Sequence, residues 1–279
     1  MVTTTEIAPS PTLAQFIRCY SYIEFDTKGL DFIRPTNAKH EIAMTFSFKS
    51  TPNRFIDGEL AQSFENTFGG LVGLFTNNNG DMVFNGHYTF FEIMFRPTGI
   101  NKIFNLLPAE INNQMVFAEE IFDSGVKIFY EQLCYATSLQ EKCFLADKYL
   151  LSFLNRQKSI IYKDAITVIS NQIHKKGGIL NIDKLAYHAN MSTRTFERNF
   201  LQKVGLPPKL FCNIARFNHA LELKFKNYKM DWTAIASNCG YYDQMHLIKD
   251  FKRFAGYTPT IVQKESHLNK MSYTNRVEA

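Results

Sequence analysis

Two copies of one short pattern lie about 50 residues apart between Asn181 and Gly256, and they constrain the fold more tightly than anything else in the chain. The first reads I-D-K-L-A-Y-H-A-N-M-S-T-R-T-F-E-R-N-F-L-Q-K-V-G; the second reads W-T-A-I-A-S-N-C-G-Y-Y-D-Q-M-H-L-I-K-D-F-K-R-F-A-G. Leu185-Ala186 aligns with Ile235-Ala236 at an offset of 50, and Ser192, Phe196, Phe200 and Gly205 align with Asp243, Leu247, Phe251 and Gly256 at an offset of 51. Each copy predicts a short apolar helix, a tight turn at Asn190 or Gly240, and a second helix opened by the N-cap residue Ser192 or Asp243. Asn and Gly are the residues that most readily take the left-handed conformation such a turn needs. The pattern is that of a helix-turn-helix, a unit whose second helix fits the DNA major groove.

The periodicity assigns faces. Phe196, Phe200 and Val204 recur every four residues as a buried stripe, which at about 100° per residue leaves Arg194, Arg198 and Gln202 on the opposite side. In the second copy Leu247, Phe251 and Phe254 make the stripe, and Met245, Lys249 and Lys252 point outward. Charge divides in the same way. Residues 1–160 carry 13 Lys and Arg against 17 Asp and Glu, whereas residues 161–279 carry 18 against 9. The basic excess is confined to the half containing the repeat, as a phosphate-binding footprint requires. The acidic half is not expected to bind nucleic acid.

The segment from about 160 to 265 resembles the DNA-binding domain of the AraC/XylS family of transcription regulators. The likeness is most specific in G-Y-Y-D-Q-M-H-L-I-K-D-F-K-R-F-A-G-Y-T-P at Gly240–Pro259. It implies a sequence-specific regulator whose partner is double-stranded DNA, with two recognition helices in successive major grooves. The DNA-binding residues it implies are Ser192, Thr193, Arg194, Arg198 and Gln202 in the first copy, and Gln244, Met245, His246, Lys249, Lys252 and Arg253 in the second. Arginine suits base reading because its planar fork can pair with O6 and N7 of guanine. Met245 stands where the family commonly has a small polar residue, and Lys249 where arginine is common. The second helix is therefore expected to position more than it specifies, with Lys252 and Arg253 on phosphates. Leu201 occupies the place equivalent to Lys252, so the first copy lacks that basic contact. For a lone basic helix a solvated face would be the better reading; the duplication favours DNA.

Upstream, alternation of apolar and polar residues predicts strands within Thr12–Phe25, His40–Phe48, Phe68–Phe75, Met82–Phe84 and Tyr88–Phe95, with T-P-N-R, I-D-G-E, G-G and N-N-N-G-D as turns. A helical pattern follows through Ile100, Ile103, Phe104 and Leu107 to Pro108, then helices over 126–137 and 139–155. P-T-N-A-K-H-E-I-A-M-T-F, the glycine pair before Leu71-Val72-Gly73, and F-E-I-M-F-R-P-T-G-I resemble the N-terminal domain of one AraC-type subgroup. The fold class is α+β. A β-rich sheet or small barrel followed by helices spans 1–156, and an all-α domain with two helix-turn-helix motifs spans 160–265. R-Q-K-S at 156–159 reads as the linker, and the polar tail 266–279 as disordered. Within the C-terminal domain a helix over 160–175 ends at K-K-G-G, and a long helix from Pro207-Pro208 to about Tyr228 joins the motifs.

Other function classes find little support. No apolar run is long enough to span a membrane and the N-terminus lacks a signal-peptide pattern, so a cytoplasmic location and no membrane partner are expected. Five scattered cysteines without a C-x-x-C pair read as buried thiols, not a zinc site. His40 beside Glu41, and His87 in N-G-H-Y, are the candidates for a metal in a cupin-like barrel, but each reads better as a surface or strand-edge histidine. No catalytic residue, metal or cofactor is expected. The N-terminal domain is expected to sense a small-molecule effector or to self-associate. The homodimer would form through Phe129, Leu133, Leu145 and Tyr149, and RNA polymerase is a partner if the chain is an activator. The alternatives are a ligand-independent regulator with a protein-interaction module, and a metal-binding sensor or enzyme fused to a DNA-binding domain.

Overall fold

The computed structural model describes residues 2–156, 164–179, 182–261 and 271–275. Its N-terminal half supplies β1 (Val2–Ile7), β2 (Ile17–Asp26), β3 (Phe32–Pro35), β4 (Ala43–Ser47), β5 (Asn53–Ile56), β6 (Glu59–Ser63), β7 (Gly69–Val72), β8 (Asp81–Phe84) and β9 (His87–Phe95). Then come α1 (Gly99–Phe104), a 3-10 turn (Pro108–Ile111), β10 (Met115–Phe117), α2 (Ala118–Ile121), α3 (Gly125–Tyr135) and α4 (Leu139–Arg156). The C-terminal half consists of α5 (Ala165–Lys175), α6 (Ile182–His188), α7 (Thr193–Val204), α8 (Pro208–Lys226), α9 (Trp232–Asn238) and α10 (Gln244–Ala255), followed by β11 (Met271–Asn275). The linker expected at 156–159 and the start of the helix expected from 160 lie largely outside the described residues.

The strands form two sheets, of order β10-β7-β4-β9-β2-β1-β11 and β3-β8-β5-β6. The larger is built on the two longest alternating stretches, β2 and β9, which pair antiparallel from Ile17 against Phe95 to Asp26 against His87. One face of it presents Tyr20, Met44, Phe46, Leu71, Phe91 and Ile93 to a core completed by α1, α3 and α4. At the far end Phe25, Phe84, Tyr88 and Phe90 join the two sheets in an aromatic cluster. β5 and β6 meet in a hairpin whose turn residues Asp57 and Gly58 both have positive φ, the arrangement that a two-residue turn between right-twisted strands prefers.

Several expectations are corrected. Phe129 and Leu133 are buried in the core, and Leu145 and Tyr149 pack against it, with the Phe129 and Tyr149 rings stacked at 4.2 Å. They do not form a partner face, because α3 and α4 spend these side chains covering their own sheet. The tail expected to be disordered contains β11, which pairs parallel with β1, whose backbone would otherwise be an open sheet edge. His40 is neither a surface histidine nor a metal ligand: it is buried, and its Nε2 lies 2.9 Å from His174 Nδ1 on α5. No group of three or more His, Cys, Asp or Glu among the described residues is placed to hold a metal. Cys134 is exposed, unlike the other four thiols.

The His40–His174 contact belongs to a polar seam between the halves. Arg18 bonds Glu6 at 3.1 Å and Glu41 at 2.7 Å, and Glu41 lies 3.7 Å from His174. Burial pushes the Glu41 carboxyl up, but Arg18 and then the two histidines outweigh it and hold the group at about 2. Burial, and next the neighbouring His174, lower His40 to about 3, so the imidazole is neutral. Thr98 meets Thr167 at 3.1 Å, and Asp164, the N-cap of α5, accepts from Lys102 at 2.8 Å and from Lys203 at 3.1 Å.

Candidate nucleic-acid interface

The two motifs are built alike. α6 and α9 have 7 residues each, α7 and α10 have 12 each, and Asn190 and Gly240 between them take φ of 52° and 68°. The turns close through matching backbone bonds, Met191 N–H to Ala186 C=O at 3.1 Å and Tyr241 N–H to Ala236 C=O at 2.9 Å. Ser192 accepts from Thr195 N–H and Asp243 from His246 N–H, each satisfying one of the orphan donors at a helix start. Gly205 and Gly256 end the helices in the left-handed region at φ 92° and 79°.

Packing fixes which side of each helix is available. Phe196, Phe200 and Val204, and Leu247, Phe251 and Phe254, are fully buried. Burying each such side chain contributes roughly 1.5–3 kcal/mol, which anchors the rotation of the helix about its axis. The outward residues are Ser192, Thr193, Arg194, Arg198 and Gln202 on α7 and its cap, and Gln244, Met245, His246, Lys249, Lys252 and Arg253 on α10, all exposed. Among the described residues Arg194, Arg198, Lys249 and Lys252 enter no ion pair, so their charge is uncommitted. Ser192 is different: its hydroxyl is engaged in the cap and with Thr195, which limits what it can offer a ligand. Gln244 accepts from Thr233 at 3.1 Å, the His246 ring packs on Tyr241, and Arg253 lies over Phe254.

The second motif is tied to the connecting helix α8 by a cluster the sequence reading did not single out. Arg216 lies 4.5 Å above the Tyr241 ring and 3.8 Å from Asp250. Burial raises the Asp250 carboxyl, with Arg216 opposing. Tyr242, on the rim of the same motif, is almost wholly exposed, and the doubled tyrosine in G-Y-Y-D was its only signal.

With this geometry, the family model for a helix-turn-helix domain matches residues 185–265. The C-terminal domain is an AraC-type helix-turn-helix domain. A second model, a domain of unknown function (DUF6597), matches residues 5–117, ahead of the AraC-type domain. No curated protein matches the chain. Among solved structures, ToxT from Vibrio cholerae aligns over 88% of this chain and 97% of its own, at 10% identity and a TM-score of 0.46. The DNA-binding domain of AdpA, solved with a target DNA, aligns over 39% and 97% at 21% identity and 0.35. A DNA-binding transcriptional dual regulator from Escherichia coli K-12 aligns over 40% and 100% at 22% identity and 0.31.

Proposed function

We propose that the chain is a sequence-specific transcription regulator that places α7 and α10 in successive major grooves on one face of double-stranded DNA. The observation that carries this is the pair of equal helices with exposed Arg194, Arg198, Lys249 and Lys252 outside any ion pair among the described residues. Phosphate neutralisation makes such binding fall steeply as salt rises. Selection from a pool of random duplexes, followed by a salt titration on the winner, tests it. A full chain that enriches no sequence and shows no salt-sensitive binding would sink the reading.

In this proposal the N-terminal domain is the controlling half, through a small-molecule effector or self-association that biases how the AraC-type domain is presented. A thermal-shift panel of metabolites on the full chain tests the effector, since a ligand at about a hundredfold over its Kd adds about 2.7 kcal/mol. Three exposed apolar side chains, Ile128 at 55%, Tyr135 at 86% and Phe144 at 68%, support a homodimer through the outer side of α3 and α4. Sedimentation of the wild type and Phe144→Glu checks it: a monomer for both removes the dimer. The proposed site of action is the cytoplasm; no helix among the described residues is long and apolar enough to cross a membrane. If the chain is an activator, RNA polymerase is a further partner; reporter output that falls when the gene is deleted is the result expected of an activator, and output that rises is that of a repressor.

A further inference from the structure

We infer that an asparagine platform on the N-terminal domain, Asn78-Asn79 with Asn112-Asn113, braces the two recognition helices against each other and so sets the half-site spacing they read. The N-terminal domain meets α7 and α10 at the same structural place, the C-terminal turn. At the first motif Asn112 Nδ2 donates to Gly205 C=O at 2.7 Å, and a Cβ at Gly205 would stand 2.8 Å from Pro108 Cβ. At the second, Ala38 N–H donates to Phe254 C=O at 2.8 Å, Asn37 Nδ2 donates to Tyr257 Oη at 2.9 Å, and a Cβ at Gly256 would stand 3.6 Å from Asn78 Cβ. Ala38 C=O in turn accepts from Asn218 Nδ2 of the connecting helix α8 at 2.8 Å.

The two docking points would be independent if the loops carrying them were separate. They are stitched together. Asn113 Oδ1 accepts from Thr76 N–H at 2.8 Å and from Thr76 Oγ1 at 3.0 Å, and Asn79 Nδ2 donates to Asn113 C=O at 2.9 Å. Arg54 bonds both the carbonyl and the side-chain oxygen of Asn79. Asn79 N–H donates to Thr36 C=O and Thr36 N–H to Gly80 C=O, both at 2.8 Å, which ties in the segment carrying Ala38. Asn113 itself sits at φ 59°, a conformation that asparagine tolerates better than most residues. One rigid body therefore grips both helix ends. In the sequence N-N-N-G-D reads only as a turn.

The inference rests on the DNA-reading role proposed above, and its test has one arm without DNA. Asn113→Gly keeps the positive φ but removes the acceptor for Thr76; Asn113→Asp restores that acceptor; Asn112→Ala releases the first motif alone. In the full chain, with the exposed Cys134 replaced by Ser, spin labels at Leu201→Cys and Lys252→Cys report the α7–α10 separation. One narrow distance distribution is expected, broadened in Asn113→Gly and Asn112→Ala and narrowed again in Asn113→Asp, while Trp232 fluorescence reports that each variant remains folded. In the second arm, the duplex selected by the wild type is compared with versions whose half-sites are one base pair nearer or farther. That change moves one half-site by about 3.4 Å and 34°. The wild type should lose about tenfold in affinity on either altered duplex, a loss within the range of a single mismatched base pair. The loss should shrink in Asn113→Gly and return in Asn113→Asp. Unchanged distance distributions in both loosened variants overturn the brace. Distances that respond while the wild type selects no two-part site leave the brace standing and remove its DNA consequence, along with the function proposed above.

Discussion

Gly205 and Gly256 allow the docking of the N-terminal domain to be weighed by matched substitutions. Both lie in the left-handed region, at φ 92° and 79°, so Gly→Ala costs each about 1–2 kcal/mol from backbone strain alone. Only one of them meets an obstacle. A Cβ at Gly205 would stand 2.8 Å from Pro108 Cβ and 3.0 Å from Ala109 N, whereas one at Gly256 would find Asn78 Cβ at an ordinary 3.6 Å. Gly205→Ala must therefore push the 3-10 turn away and loosen the Asn112 bond to Gly205 C=O, a further cost of about 1 kcal/mol or more. Urea unfolding followed by the single tryptophan, Trp232, which is buried in the second motif, gives the comparison. The expected loss is about 1–2 kcal/mol for Gly256→Ala and about 2–4 kcal/mol for Gly205→Ala. Hydrogen exchange should also quicken at 109–113 in Gly205→Ala only. Equal losses, with no change in exchange at that turn, would refute the docking of Pro108 against α7.

Arg198→Ala and Lys249→Ala separate reading from positioning. The first should cost about 1–3 kcal/mol and flatten preference at one or two base pairs; the second should weaken all sequences evenly and lower the salt slope. A library of single-base variants decides, and the reverse result would exchange the roles of the two helices. Phe129→Ala should cost about 3–5 kcal/mol by emptying a core site, whereas Phe144→Ala on the outer side should stay within about 0.5 kcal/mol in the monomer. Similar losses on denaturant unfolding would place both side chains in one environment. His40, held at about 3 against an ordinary 6.5, gives a pH dependence. Because the folded imidazole is neutral, the unfolded chain takes up the proton first. Stability is complete above pH 6.5 and falls as pH drops toward 3, at up to about 1.4 kcal/mol per unit. Urea midpoints at pH 7, 6 and 5 should decline for the wild type and decline less for His40→Gln; parallel declines would remove His40 as the cause.

The C-terminal half was legible in the sequence because its determinants are local. A left-handed Asn190 or Gly240, a cap at Ser192 or Asp243 and a four-residue stripe each act within one or two helical turns. The outward side chains followed from the stripe without further information. In the N-terminal half β2, β4 and β9 were visible because they are rich in apolar residues and largely buried, but β5 and β6 are short, β6 is mostly exposed, and β5 buries an arginine where an apolar residue would have signalled a strand. The placement of Phe129 and Tyr149 went the wrong way because α3 and α4 carry apolar residues on both sides, and periodicity alone does not say which side meets the sheet. His40 and Asn112 could not be read at all. Their partners, His174 and Gly205, are 134 and 93 residues away, and only the fold brings them together.

The connecting helix α8 has a consequence of its own. Its 19 residues make a rod about 28 Å long. The rod also carries phase. Deleting one residue from its middle would shorten it by only about 1.5 Å but would turn everything beyond it by about 100°, so that in the proposed complex α10 would face away from the groove while α7 still entered its own. A change of length could preserve both helices on one side of the duplex only by adding or removing close to whole turns, in steps of about 3.6 residues. The helix is thus a ruler graduated in turns, and substitutions at its exposed positions should be tolerated far better than any single insertion.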